Sequence, residues 1–404
     1  MNIPRRRVAL YLHDTQGLGH VRRNSLIAAA LVRDDPSTEV LLLSGAGEAT
    51  SLPLPPHTEV VTLPGLRKDA GGRYEARALP SPLADVLALR ASILEASLAA
   101  FEPDLLVVDK VPRGVGGELD RALVRLRRDT GVRTVLGLRD VLDSPAVATR
   151  EWAAQRSTRT VDSHYDAVWV YGDRRIYDPV VEYGLPESVA RKVSYTGYLG
   201  RGPDDSLVAR HYGRSATPPA GRSFVLCLVG GGQDGSAVAR AFVDADLPVG
   251  HRGVLVTGPF MNRRLRQRLA AEAARRRDLQ VREFVPDVVP FVAAASAVVS
   301  MGGYNSVCEV LSAAAPALLV PRTTPRAEQA VRAERLRAAG LVDVLAGEPD
   351  PARLTGWLSA AVNGERPTQG SVDLAGLDRV PLLARALLAS DERAIHEERA
   401  DVAV

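Results

Sequence analysis

Ala297-Val298-Val299-Ser300-Met301-Gly302-Gly303-Tyr304-Asn305-Ser306-Val307-Cys308-Glu309 is the stretch that decides the fold. Its first four residues form a short apolar run that reads as a buried strand ending at Ser300. The chain then turns on two glycines, and a helix is predicted to begin near Asn305 or Ser306, either of which can cap it. A strand, a glycine turn and a helix in that order form the repeating unit of a parallel α/β sheet. The amides and dipole of such a helix start suit a phosphate. About one turn further on, Glu309 is placed to accept the two hydroxyls of a ribose. Three positions after Ser306, it also fits a plain capping box, and the spacing leaves both readings open.

The same alternation runs outward on both sides. Strand-like runs occur at residues 8–12, 39–43, 59–63, 105–108, 133–136 and 167–170, with helical patterns at 21–33, 83–100 and 118–128. A second series has strands at 224–229, 253–257, 280–283, 297–300 and 317–320, and helices at 263–277 and 326–338. Between the series lies a polar stretch rich in Gly and Pro that includes Pro218-Pro219. The expected architecture is therefore α/β, two Rossmann-like domains facing across a cleft. It comprises residues 1–200, a linker at 201–222, a second domain at 223–370 and a helical tail at 371–404.

Composition fits this reading and excludes others. At 404 residues, with 46% hydrophobic and 25% charged, the chain suits two globular cores. A net charge of +3 gives no basis for nucleic-acid binding. Almost all the positive charge is arginine, since Lys68, Lys110 and Lys192 are the only lysines. Arginine favours bidentate contacts to phosphate, although codon usage explains the bias as well. Cys227 and Cys308 sit in separate apolar runs, as reduced core cysteines do. No stretch approaches the roughly 18 apolar residues of a membrane span, and a cytoplasmic protein is expected.

Two further glycine turns matter. Asp14-Thr15-Gln16-Gly17-Leu18-Gly19-His20 joins the first strand to a helix and puts His20 at the helix start. It is not a dinucleotide fingerprint, because Arg22 stands where the third glycine belongs. Gly230-Gly231-Gly232-Gln233-Asp234-Gly235 follows the first strand of the second series, where backbone must approach a diphosphate or the partner domain closely.

These turns, in this order, resemble the GT-B glycosyltransferases, in particular the group of the peptidoglycan N-acetylglucosaminyltransferase that completes lipid II. Within that group the chain is most similar to predicted bacterial glycosyltransferases. HDTQGLGH at 13–20, VDKVPRG at 108–114, GLRD at 137–140, TGPFM at 257–261, MGGYNSVCE at 301–309 and PRTTPRAEQ at 321–329 carry the resemblance. It implies that the second domain holds a nucleotide-sugar donor and the first an acceptor. Gly302, Gly303, Asn305 and Ser306 would line the diphosphate, with Gly231, Gly232 and Asp234 opposite and Arg322 adding charge. Glu309 would hold the ribose, Phe284 and Val285 the uracil, and Gln329 and Glu328 the sugar hydroxyls. Gly17, Gly19 and His20 would border the reacting centre. The lipid-linked relatives dock on membranes through an exposed apolar patch. Leu63-Pro64-Gly65-Leu66 is a candidate for such a loop or a plain surface turn, so at most peripheral membrane contact is expected.

The chemistry implied is transfer from a UDP-sugar with inversion. The acceptor would be a small molecule, a lipid-linked species or a glycan. His20 is the leading general base, with Asp14, His13 and Asp140 as rivals. No metal is expected, since the seven histidines are scattered. Asp244-Ala245-Asp246 reads as a turn after a helix. No cofactor is expected beyond the nucleotide-sugar co-substrate. An epimerase or hydrolase of the same shape, or a non-catalytic nucleotide-sugar-binding protein, are the alternatives.

Overall fold

The computed structural model describes residues 5–13, 19–47, 49, 54–68, 73–128, 131–202, 217–219, 223–364 and 372–401, with side chains as far as 389. Asp14, Gly17 and most of the 201–222 stretch lie outside the described residues.

Two parallel sheets organise the chain. The first has the order β3-β2-β1-β6-β7-β8-β9, formed by β1 (Arg7–Leu12), β2 (Glu39–Ser44), β3 (Thr58–Thr62), β6 (Leu105–Asp109), β7 (Arg133–Arg139), β8 (Ala167–Tyr171) and β9 (Val193–Tyr195). An antiparallel hairpin of β4 (Leu66–Lys68) and β5 (Tyr74–Ala76) stands apart from it. The second sheet has the order β12-β11-β10-β13-β14-β15. It contains β10 (Phe224–Leu228), β11 (Arg252–Val256), β12 (Leu279–Arg282), β13 (Ala297–Ser300), β14 (Ala317–Leu319) and β15 (Asp343–Val344). Every residue of β6, β10 and β13 is buried, as expected of strands covered by helices on both faces. The architecture is the expected pair of Rossmann-like domains.

In each sheet the order reverses beside the first strand. β1 pairs with β2 on one side and with β6 on the other, where Leu12 lies opposite Asp109. β10 likewise lies between β11 and β13. Such switch points open a crevice at the carboxyl ends of the strands. The turns after β1, β6, β7, β10 and β13 emerge there.

Three details differ from the sequence reading. Leu63 and Leu66 are buried, Leu66 against Val86 and Val115, so that loop offers no exposed leucine. β9 and β15, at three and two residues, are too short to show an alternating pattern. The C-terminal helix, Gly376–Asp401, packs against Gly19–Asp34 of the first domain through Leu377, Val380 and Ala384. Tyr198 N donates to Asp373 O at 2.8 Å where the chain returns. Among the described residues no helix is long and apolar enough to cross a membrane.

Candidate functional site

A cavity of roughly 320 Å³ lies between the two sheets and takes its walls from both. On the first-domain side stand Gly19, His20, Arg22, Arg23 and Arg139. His20 is the second residue of the helix Gly19–Asp34, and its Nδ1 is 2.8 Å from Asp109 Oδ2. Asp109 ends β6 and is only 1% exposed. It also accepts from Arg23 at 2.7 Å and from Asn24 Nδ2 at 2.9 Å. Arg23 Nη2 is equally close to His20 Nδ1. A carboxylate can only accept and Arg23 Nη2 donates to the same Asp109, so Nδ1–H donating to Asp109 is the tautomer that fits, and the basic lone pair falls on Nε2. Burial is the largest influence on this imidazole and, with Arg23, outweighs Asp109, bringing it down to about 4. His20 is therefore neutral at pH 7.

The rival bases are placed as follows. His13 is buried edge-on to His20, with ring centroids 4.6 Å apart, and its Nδ1 lies 3.2 Å from the Asp109 carbonyl. Asp140 is fully buried and engaged in a fork with Arg332, at 2.6 and 2.8 Å, while also accepting from the Tyr198 hydroxyl at 3.0 Å. That carboxylate is committed to joining the domains.

The opposite wall comes from the second sheet. Gly231, Phe284, Val285, Gly303, Asn305, Ser306, Glu309, Arg322, Glu328 and Gln329 all line the cavity. The helix Tyr304–Ala313 is entered through Gly303 in an extended conformation, with no side-chain cap. The predicted capping by Asn305 or Ser306 is thus replaced: both lie inside the first turn, and Asn305 Nδ2 reaches across the cleft to Gly19 O at 2.9 Å. Gly302 has φ +75 and gives its carbonyl to Arg332 Nη1 at 3.2 Å. It shapes the bend without lining the cavity.

Glu309 Oε1 is 2.7 Å from Arg22 of the facing domain. Its Oε2 is buried and has no hydrogen-bond partner among the described residues. Burial pushes this carboxyl up despite Arg22 and Arg201. An unsatisfied buried acceptor needs a donor, which a pentose hydroxyl can provide. Glu328 is similar, with Oε1 on Arg322 at 2.7 Å and Oε2 unsatisfied. Arg322 also pairs with Asp234, and its backbone N donates to Gln329 Oε1 at 3.2 Å.

Gly232 does not line the cavity. At φ +93, a Cβ there would lie 2.3 Å from Thr257 O, and one on Gly258 would lie 2.4 Å from Gly230 O. The triple glycine therefore packs backbone to backbone against the TGPFM segment, and Phe260 N donates to Gly231 O at 2.9 Å. Asp244 ends the helix Ser236–Asp244, and Asp246 N bonds Thr355 Oγ1 at 2.9 Å, so that triplet is a turn. Among the described residues, no group of three or more His, Cys, Asp or Glu side chains is arranged to hold a metal ion.

The sequence reading did not single out Asp109, Arg22, Arg23, Arg139 or Arg332. Asp109 appeared only inside VDKVPRG. What puts it beside His20 is the pairing of β6 with β1, a long-range crossover that local spacing does not contain.

Residues 225–355 match the glycosyltransferase family 28 C-terminal domain. No curated protein matches the chain. Among solved structures, CalG4, the calicheamicin glycosyltransferase, is similar at a TM-score of 0.58 and 18% identity, covering 98% of each chain. MurG of Acinetobacter baumannii is similar at 0.52 and 16%, covering 94% of this chain and 99% of that one. A Listeria monocytogenes protein described as a possible UDP-N-acetylglucosamine 2-epimerase gives 0.57 and 12%, covering 94% and 95%. At these identities the likeness is one of fold. The chain thus has the GT-B fold, and residues 225–355 within its second domain match the family 28 C-terminal domain.

Proposed function

We propose that the protein transfers a sugar from a UDP-linked donor to an acceptor hydroxyl or amine by a single, inverting displacement without a metal ion. The observation that carries this is the pairing of His20 with Asp109 on one wall of a cavity whose other wall is the uncapped start of the helix Tyr304–Ala313. His20 Nε2 takes the acceptor proton, and Asp109 stabilises the imidazolium that forms. The acceptor atom attacks the sugar C1 as its bond to the diphosphate oxygen breaks. Amides of the first helical turn, with Arg322 beside them, receive the departing charge. Glu309 Oε2 accepts from the ribose, and backbone near Phe284 and Val285 meets the uracil. The name of the Listeria monocytogenes neighbour carries a UDP-sugar, which supports uracil as the donor base. The specific lipid II-forming group and the identity of the sugar stand as further proposals. The acceptor remains a small molecule, a lipid-linked species or a glycan.

A thermal-shift screen of nucleotide sugars, with and without magnesium, tests the donor, because a ligand selective for the folded state raises its stability by mass action. Stabilisation by UDP-sugars irrespective of magnesium is expected. Incubation with donor alone separates the rival: epimerised sugar or rapid UDP release without acceptor would replace transfer by epimerisation or hydrolysis.

A further inference from the structure

The cavity contains a cation that donor binding, as described, does not use. Arg139 ends β7 on the first-domain side and lines the cavity next to His20. Its Nε is buried without a hydrogen-bond partner among the described residues. The arginines around it each hold a carboxylate, Arg23 that of Asp109, Arg332 that of Asp140 and Arg322 that of Glu328, although Nε of Arg23 and of Arg322 is likewise without a partner among the described residues. Beside it, at the end of the adjacent strand β6, stands Lys110. That residue has φ +70, a left-handed conformation that costs a residue with a side chain energy and persists only where the surroundings hold it. Its backbone N donates to Gly137 O at 2.8 Å, which fixes the register of the two strand ends.

A guanidinium that lines a cavity and holds no carboxylate of its own is disposed to take an anion that arrives there. The first charges to consider are carboxylates already present. Glu328 is near enough for Arg139 to hold its carboxyl down against the effect of burial, but its hydrogen bond goes to Arg322. Glu151, which acts on Lys110, is paired with Arg326 at 2.7 Å. Burial, followed by the charge of Arg139, brings the Lys110 ammonium down to about 7. In the proposed reading the donor diphosphate has its own partners on the opposite wall, at the helix start from Gly303 to Ser306 and at Arg322.

Building on the transferase reading, we propose that Arg139, with the charge of Lys110 behind it at the neighbouring strand end, forms an anion subsite on the first domain that receives a phosphate or carboxylate carried by the acceptor. The acceptors in question are therefore anionic. The guanidinium fork suits the paired oxygens of either group, and binding there sets the acceptor nucleophile beside His20.

Calorimetric titration with inorganic phosphate, on protein with and without saturating UDP, tests this. UDP-loaded wild-type protein is expected to bind phosphate. Arg139→Gln should weaken that binding about tenfold or more, with Lys110→Gln acting in the same direction, while UDP affinity changes less than about twofold. The ligand-free Arg139→Gln protein should melt no lower than wild type, because it loses an unpaired buried charge, whereas a purely structural arginine would lower the melting point. Absence of phosphate binding to the UDP-loaded wild type, or equal binding by the variant, overturns the proposal. A parallel tenfold loss of UDP affinity also overturns it and gives the guanidinium to the donor diphosphate. Should UDP fail to bind at all, the transferase reading falls, and phosphate binding by the two UDP-free proteins still decides this question. If Arg139→Gln does not fold, Arg139→Lys, which retains charge without the fork, is expected to show a smaller loss in the same titration.

Discussion

The 2.8 Å contact between His20 Nδ1 and Asp109 Oδ2 ties the first helix of the chain to the end of β6. It fixes the imidazole tautomer and gives the ring a negative partner. Asp109→Asn keeps an oxygen for Arg23 but removes the charge, so kcat should fall by on the order of 10²–10⁴, as for His20→Ala. Steady-state kinetics reads the loss, and calorimetry with UDP should show little change. Normal turnover in both variants would remove the pair from the mechanism.

The pH dependence follows from the same site. With His20 held near 4 against an ordinary value of 6.5, the unfolded chain binds a proton between those values that the folded chain does not. Stability should therefore fall as pH drops from 6.5 towards 4, by on the order of 3 kcal/mol for this group. His20→Gln should flatten that part of a melting-temperature profile; an unchanged profile would show that His20 is not held neutral. In kinetics, the acid limb of kcat/KM should lie well below 6.5. The limb of kcat should lie higher, because a bound diphosphate adds negative charge near the imidazole.

Glu309 presents an unsatisfied oxygen to the cavity. Glu309→Ala should weaken UDP binding by roughly 1–3 kcal/mol, the range for lost charged hydrogen bonds. Titration with UDP checks this, and equal affinity in the two proteins would take the ribose away from Glu309.

Arg332 and Asp140 are both fully buried and join the two domains. Removing one partner strands the other charge, so Arg332→Met should cost about 3–5 kcal/mol in urea unfolding. The double variant Arg332→Met with Asp140→Leu should recover much of that loss. An additive double variant would mean that the pair does not act as a unit.

Local patterns made much of this legible. The buried strands of both sheets announced themselves as apolar runs, and the bend at 301–309 announced itself by its glycines. Glu309, Arg322, Glu328 and Gln329 line the cavity with the roles of their motif still open to test. What escaped was whatever depends on strand order. Asp109 lies 89 positions from His20 in the chain, and only the β1–β6 pairing makes them neighbours. Arg332 was similarly hidden inside the helical pattern at 326–338, because its partner Asp140 lies 192 positions away in the other domain. Gly232 looked like ligand-facing backbone because a glycine needed for tight packing and one needed for ligand approach are the same letter.

The C-terminal helix lies on Gly19–Asp34, so the polypeptide crosses between the halves twice, once near Arg201 and once before Asp373. Two links between bodies resist a swivel that a single link would permit. The returning helix also pairs Asp378 with Arg33 and Arg385 with Asp34, at the end of the first helix remote from His20. Shortening the protein before Gly376 would both remove the second link and bare the apolar flank of the helix that carries His20.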